Sequence, residues 1–145
     1  MEPQATYDDV NLILRLYELR REPKMRTARD WFAKSFKAAN LEEVATLCPL
    51  GSEENAYFRM VMSYWEMVAS FITSGVLNQE LFFQSGGEIL FVWERFKHLV
   101  PETRERYKNP ALYRNLEAVA NAFVQWMSKS APEAYATFSA RVRGS

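Results

Sequence analysis

The chain has very little of the side-chain chemistry that builds metal centres and nucleophilic active sites. Its 145 residues include one cysteine, Cys48, and one histidine, His98. A structural zinc site needs four nitrogen or sulfur ligands, and a di-iron bundle needs two Glu-x-x-His pairs, so neither can be assembled. A nucleophile would need His98 as its base, and no sequence spacing connects the two. The sequence therefore predicts no catalytic residue, no metal site and no cofactor.

Phosphate-binding loops and membrane spans are also missing. Neither Gly-x-x-x-x-Gly-Lys nor Gly-x-Gly-x-x-Gly occurs in the sequence. The most apolar long stretch, Tyr57 to Ile72, is interrupted by Arg59 and Glu66 and is too short and polar to span a bilayer. The amino terminus lacks the pattern of a secretion signal, and a lone cysteine excludes an internal disulfide. We therefore expect a soluble, cytoplasmic protein without membrane insertion.

Net charge is zero, because eighteen basic residues balance eighteen acidic ones. The two signs are nevertheless segregated: residues 11–37 carry a net +5 and residues 40–94 a net −7. A helix-turn-helix over residues 25–48 would open its second helix with Glu42 and Glu43, which would repel the DNA phosphates. We expect a solvated basic face, and no specific nucleic-acid binding.

What the sequence does contain is helical periodicity bounded by capping signals. In the amino-terminal half we predict a first helix from Tyr7 to about Arg21, capped by Thr6, and a second helix that begins at Pro23 and carries Met25 to Phe36. A short third helix is predicted between Asn40 and Cys48-Pro49. The main helix is predicted from Glu53 to Ser74, with Gly75 as its end signal. In the other half we predict a single turn after Asn78, a helix from Ile89 to near Pro101, a charged turn from Glu102 to Tyr107, a helix from Asn109-Pro110 to about Lys129, and a last helix from Ser130 through Val142.

These elements predict an all-α fold. No alternating apolar and polar run is long enough for a sheet, and short connections favour antiparallel neighbours. We expect an irregular antiparallel bundle of about five long helices plus short helical turns, in one domain covering residues 1–145. Aromatic residues make up 14% of the chain, more than a small helical core readily holds, so some rings are expected to face a partner or a cavity.

The main helix is apolar around most of its circumference, so its Glu66 is expected to be partly buried and in need of a partner. Arg95 and His98 on the next long helix are the candidates. One interpretation is a polar ligand pocket with Trp65 and Trp93 on its wall, able to bind a small molecule or to do acid–base chemistry. The alternative is a structural ion pair or an exposed polar seam.

Helix 1 has two apolar stripes, of which one suffices to pack on the core. We assign Val10, Ile13, Leu14 and Tyr17 to the core. The ridge Leu12, Leu16 and Leu19 would then form a twofold dimer contact, reinforced by Phe91. The alternative is that the short helices and the carboxyl-terminal segment cover the second stripe.

Several segments together resemble a family of bacterial helical proteins known only as a domain of unknown function. They are Tyr64-Trp65-Glu66, Ser74-Gly75-Val76-Leu77-Asn78, Trp93, and the stretch from Arg104 to Tyr107. The resemblance covers roughly Tyr7 to Lys129 and implies no assigned activity. The resemblance also implies an amino-terminal membrane helix in some members, and we expect none in this chain.

The function that these observations favour is a non-enzymatic helical interaction module that self-associates, most simply as a homodimer, with a protein partner as a further possibility. The competing hypothesis is a small-molecule-binding or enzymatic bundle that uses the neighbourhood of Glu66.

Overall fold

The computed structural model describes residues 3–144, most of which are helical. The α-helices are α1 (Tyr7–Arg20), α2 (Pro23–Ser35), α3 (Leu41–Leu47), α4 (Glu53–Thr73), α5 (Gln79–Phe83), α6 (Glu88–Phe96), α7 (Val100–Arg106), α8 (Arg114–Ser130) and α9 (Ala134–Gly144). A 3₁₀ turn, Lys97–Leu99, joins α6 to α7. Residues 3–144 contain no β-strand, so the predicted all-α fold is confirmed.

The long helix α4 lies at the centre of the packing. It contacts α2 and α8 most extensively, while α6 packs against α8 and α9. The residues of α4 that are buried are Val61, Met62, Tyr64, Trp65, Val68, Ala69 and Ile72. A helix that is apolar around most of its surface must be covered on several sides, which explains this central position.

A chain of aromatic rings crosses the core from α2 to the segment before α8. Phe32 stacks on Phe36 at 4.7 Å between ring centroids, and Phe36 stacks on Phe58 at 5.1 Å. Phe58 then contacts Phe96 at 5.9 Å, and Phe96 meets the edge of Tyr113 at 4.9 Å. Much of the high aromatic content is therefore used inside the fold, where offset and edge-to-face pairs add stability beyond their buried area.

Several helix ends lie where local capping predicts them. Thr6 and Asp9 form the reciprocal capping box of α1, and Pro23 occupies the first turn of α2. The side chains of Asn40 and Ser52 accept hydrogen bonds from the first turns of α3 and α4. Gly75 follows α4 with a φ of +83°, a conformation that glycine adopts without the steric cost of a Cβ atom.

Three predicted helix boundaries are wrong. The last helix begins at Ala134 and not at Ser130, because α8 continues through Ser130. Pro101 lies in the first turn of α7, where a missing N–H costs nothing, so the predicted stop and charged turn form a helix instead. Asn109 accepts a hydrogen bond from the backbone of Ala111 and makes a local turn, while α8 begins five residues further on, at Arg114. Pro110 therefore belongs to a turn and opens no helix.

The carboxyl-terminal helix α9 is tied to α6 by a buried polar cluster. The side chain of Glu94 is fully buried and accepts a hydrogen bond from the hydroxyl group of Tyr135. The Nζ atom of Lys97 lies 2.8 Å from the other carboxylate oxygen. Burial alone would lower the pKa of Lys97, but its hydrogen bonds to Glu94 and Tyr135 raise that pKa above the ordinary value. The carboxylate is thus paired with an ammonium group and accepts a hydrogen bond from a hydroxyl group, which offsets part of the cost of burying its charge.

Candidate functional site

The inner face of α1 is the face that carries Leu16. This residue is 2% exposed, and its carbonyl oxygen accepts a 2.5 Å hydrogen bond from the hydroxyl group of Tyr64 on α4. Leu12 and Ile13 are partly buried and pack against the same core. The predicted ridge Leu12, Leu16 and Leu19 is therefore not a free surface, because Tyr64 and the core cover its middle residue. Leu19, at 42% exposed, is the one member that faces solvent.

The outer face of α1 carries four exposed apolar side chains in one row. Tyr7 is 78% exposed, Val10 40%, Leu14 54% and Tyr17 45%. Their spacing of three, four and three residues is that of the contact positions in a heptad repeat. We name this row the α1 stripe. The assignment of Val10, Leu14 and Tyr17 to the core is thus wrong, and of that predicted set only Ile13 packs inward.

Opposite charges flank the two ends of the α1 stripe. Exposed Asp8 lies in the first turn of α1, and the last turn and C-cap hold Arg20 and Arg21. The guanidinium groups of Arg20 and Arg21 lie 5.2 Å and 5.4 Å from the ring centroid of Tyr17. Arg21 also donates a hydrogen bond to the Tyr17 hydroxyl at 3.3 Å. These contacts restrict the Tyr17 ring at the surface of the helix.

Asp9 fixes the start of α1 to the loop after α4. One carboxylate oxygen accepts a hydrogen bond from the backbone of Thr6 at 2.7 Å, and the other accepts one from the backbone of Asn78 at 2.8 Å. These backbone hydrogen bonds, to Thr6 first and then Asn78, lower the pKa of Asp9 below its usual value of 3.8. Asp9 thus connects the start of α1 to this loop, and its ionised form is the better acceptor for both backbone hydrogen bonds.

Glu66 does not form the predicted pair with Arg95 or His98. It is half-buried, and its two oxygens accept hydrogen bonds from the Asn115 side chain at 2.7 Å and from the Leu116 backbone at 2.9 Å. Asn115 and Leu116 lie in the first turn of α8, whose N-cap residue supplies no side-chain cap. Glu66 on α4 therefore caps the N-terminus of α8. The positive end of the α8 dipole also favours the negative charge of Glu66 at this position.

The remaining residues of the predicted pocket occupy separate environments. Trp65 and Trp93 belong to the packed core, at 0% and 7% exposed. Arg95 donates a hydrogen bond to the carbonyl oxygen of Phe36 at 3.0 Å, and burial lowers its pKa. His98 is exposed, and its Nε2 donates to the carbonyl oxygen of Ala38 at 2.6 Å. These side chains therefore serve packing and helix connection rather than a common ligand site.

Phe91 does not reinforce α1. Its ring meets the edge of Phe32 at 6.4 Å between centroids, and the guanidinium carbon of Arg95 lies 4.9 Å from its centroid. It contributes to the packing of α6 on α2. Of the four residues predicted for self-association, Leu16 and Phe91 therefore pack inside the fold, Leu12 is partly buried, and Leu19 is exposed.

The described part of the chain contains no group of three or more His, Cys, Asp or Glu side chains close enough to hold a metal ion. No helix within residues 3–144 is long and apolar enough to cross a membrane.

A family model described as a domain of unknown function, DUF4760, matches residues 5–126. The chain belongs to the DUF4760 family. The match includes α1 to α7 and most of α8, and the predicted resemblance to a domain of unknown function is confirmed. No curated protein and no solved structure matches the chain. Helix α9 of this DUF4760 protein lies beyond the matched region and is joined to it through Glu94 and Tyr135.

The DUF4760 domain also has a cleft between α3, α4 and α7, with a volume of about 420 Å³. Phe58, Phe96 and Tyr113 contribute apolar surface to it, and Arg59 and Arg106 are its two cationic residues. We name it the α3–α7 cleft. Burial raises the pKa of the Cys48 thiol in its wall, so this cysteine stays protonated and acts as an apolar group.

Sequence reasoning missed Tyr7 and the α3–α7 cleft. The signal for Tyr7 was present, because its spacing to Val10, Leu14 and Tyr17 continues one row. The sequence carries no comparable signal for the cleft, because its walls come together only after folding. Those walls are α3, α4, the segment around Arg106, and Tyr113.

Proposed function

We propose that this DUF4760 domain is a non-enzymatic interaction module that forms a homodimer through the α1 stripe. The observation that carries the proposal is the single row of exposed apolar residues on a helix whose opposite face is anchored in the core. An exposed apolar row at heptad spacing is typical of a surface that another helix covers.

The charges at its ends favour an antiparallel pair of α1 helices related by a twofold axis. In that arrangement the acidic first turn of one copy, which holds Asp8, lies beside the basic last turn and C-cap of the other, which hold Arg20 and Arg21, and the same attraction is repeated by symmetry. Opposed helix dipoles also favour the antiparallel direction. A parallel pair would bring like charges together at both ends.

The exposed area of the α1 stripe indicates how strongly the dimer should associate. With ordinary side-chain areas, the four residues of the α1 stripe offer roughly 350 Å² of apolar surface per copy, or roughly 700 Å² in a dimer. This is below the size of a stable interface, so we propose a weak, concentration-dependent dimer. We place it in the cytoplasm, since the buried thiol of Cys48 is free.

Sedimentation equilibrium over a wide concentration range tests the dimer. Leu14→Glu should give a monomer with an unchanged melting temperature, because Leu14 is 54% exposed. Val76→Glu is the matched control: Val76 is an equally apolar residue, 67% exposed, outside α1, and the dimer should persist.

A charge exchange tests the direction of the pair. Asp8→Arg alone should weaken the dimer, and adding Arg21→Asp should restore it, because the attraction between the two helix ends is then rebuilt with reversed signs. Wild type that stays monomeric at the highest concentration, or a Leu14→Glu variant that still dimerises, would overturn self-association. Failure of the exchange to restore the dimer would exclude the antiparallel arrangement.

A further inference from the structure

The α3–α7 cleft has the size and lining of a small-molecule site. Its volume of about 420 Å³ lies within the range of about 300–1,000 Å³ found for ligand pockets. Apolar groups dominate the lining, with Phe58 and Phe96 5.9 Å apart between centroids and the edge of Tyr113 against Phe96. An apolar body of a ligand would therefore replace water on carbon-rich surface.

The charges of the lining residues are of one sign. Arg59 and Arg106 line the cleft, and the lining contains no aspartate or glutamate. Arg59 donates through Nε to Asn55 on its own helix, and within residues 3–144 neither guanidinium group makes a salt bridge. By contrast, Arg29 and Arg104 elsewhere in the fold are paired with Glu88 and Glu117. A pair of un-neutralised guanidinium groups beside apolar surface favours an anionic headgroup.

One wall of the cleft is held in an unusual backbone conformation. The non-glycine residues with positive φ in the described chain are Lys108, at 52°, and Tyr113, at 60°. They bracket the segment that contributes Leu112 and Tyr113 to the cleft. For a bulky aromatic residue this conformation is sterically unfavourable, and such strain concentrates at ligand sites.

We infer that the α3–α7 cleft binds a small amphipathic carboxylate, with its apolar body against Phe58, Phe96 and Tyr113 and its carboxylate between Arg59 and Arg106. The site is independent of the α1 stripe and does not rest on dimerisation.

Three probes separate the contributions of tail and headgroup: decanoate, decanol and acetate, each below the concentration at which it aggregates. Titration calorimetry should show that decanoate binds about tenfold more tightly than decanol, because a charge-assisted hydrogen bond is worth that factor or more. Acetate should not bind measurably. Amide NMR shifts caused by decanoate should map to α3, to α4 near Arg59 and to the segment before α8.

Two kinds of variant test the assignment. Arg59→Gln and Arg106→Gln should each reduce the affinity for decanoate several-fold and leave decanol unchanged, while Arg15→Gln, at an exposed position on α1, should change neither. Ala45→Phe, at an exposed position that lines the cleft, should weaken both ligands without lowering the melting temperature.

Equal affinities for decanoate and decanol would overturn the role of the arginines. Binding of acetate as strong as that of decanoate, or shifts that map to the α1 stripe, would overturn the cleft as the site. Absence of binding by either ten-carbon ligand would overturn the inference altogether.

Discussion

The contact between Glu66 and α8 allows a quantitative test of how the bundle is fixed. Replacing Glu66 with alanine removes two acceptors from the first turn of α8, at 2.7 Å from Asn115 and 2.9 Å from Leu116. Loss of a capping side chain costs about 1 kcal/mol, and loss of a negative charge at a helix N-terminus costs about 0.3–1 kcal/mol more. We therefore expect Glu66→Ala to lower the free energy of unfolding by about 1.3–2 kcal/mol.

Glu66→Gln is the graded variant. It keeps an acceptor oxygen but loses the charge, so about half of the destabilisation is expected. Urea denaturation followed by circular dichroism measures both variants. Thermal melts should agree, at roughly 3–4 °C for each kcal/mol in a domain of this size.

A double-mutant cycle separates this contact from the ion pair that the sequence predicted. Glu66→Ala with Asn115→Ala should show a coupling energy of about 0.5–1 kcal/mol, and the separate hydrogen bond from Thr73 to Asn115 cancels in the cycle. Glu66→Ala with His98→Ala should be additive, because His98 bonds to Ala38 instead. Coupling to His98 and none to Asn115 would refute the reasoning.

Four further predictions follow from buried or strained residues. Leu16→Ala should cost about 2–4 kcal/mol in urea denaturation, because the side chain is 2% exposed and leaves a cavity. Asp9→Asn should lower the free energy of unfolding at neutral pH, and the stabilities of variant and wild type should converge in acid. Because folding lowers the pKa of Asp9, its contribution to stability is present above pH 3.8 and is lost as the pH falls through the folded-state pKa. Tyr113→Gly should lower the free energy of unfolding by about 2 kcal/mol, because losing the contact with Phe96 costs more than is gained when glycine relieves the strain of the positive φ. Tyr135→Phe should cost about 1–3 kcal/mol, because a fully buried carboxylate of Glu94 loses a donor.

Each of these has a control. Leu14→Ala should change monomer stability little, and equal losses at positions 14 and 16 would contradict the assigned faces of α1. A parallel pH profile for wild type and Asp9→Asn would contradict the role of the Asp9 charge. Tyr113→Phe should be close to neutral, and a stabilised Tyr113→Gly variant would mean that strain dominates there. Tyr135→Leu should cost at least as much as Tyr135→Phe; a neutral Tyr135→Phe would show that Lys97 alone satisfies the carboxylate.

The sequence by itself determined the all-α fold and many of the helix ends. Thr6, Pro23, Asn40, Ser52 and Gly75 act within one turn of themselves, through a side-chain cap, a fixed φ or a left-handed residue. Such signals involve neighbours along the chain, so no knowledge of the packing is needed to interpret them.

The tertiary structure alone decided which face of α1 is buried. Both of its stripes are apolar and suitably spaced, so periodicity could not rank them. The Leu16 side of α1 is buried against the core, where the hydroxyl group of Tyr64 on α4, forty-eight residues away, donates a hydrogen bond to the backbone of Leu16. The start of α8 was decided in the same way: Glu66 caps its first turn from forty-nine residues away, and the local signal at Asn109-Pro110 became a turn. Contacts between residues distant in sequence satisfy these polar groups, and only the folded chain brings them within hydrogen-bond reach.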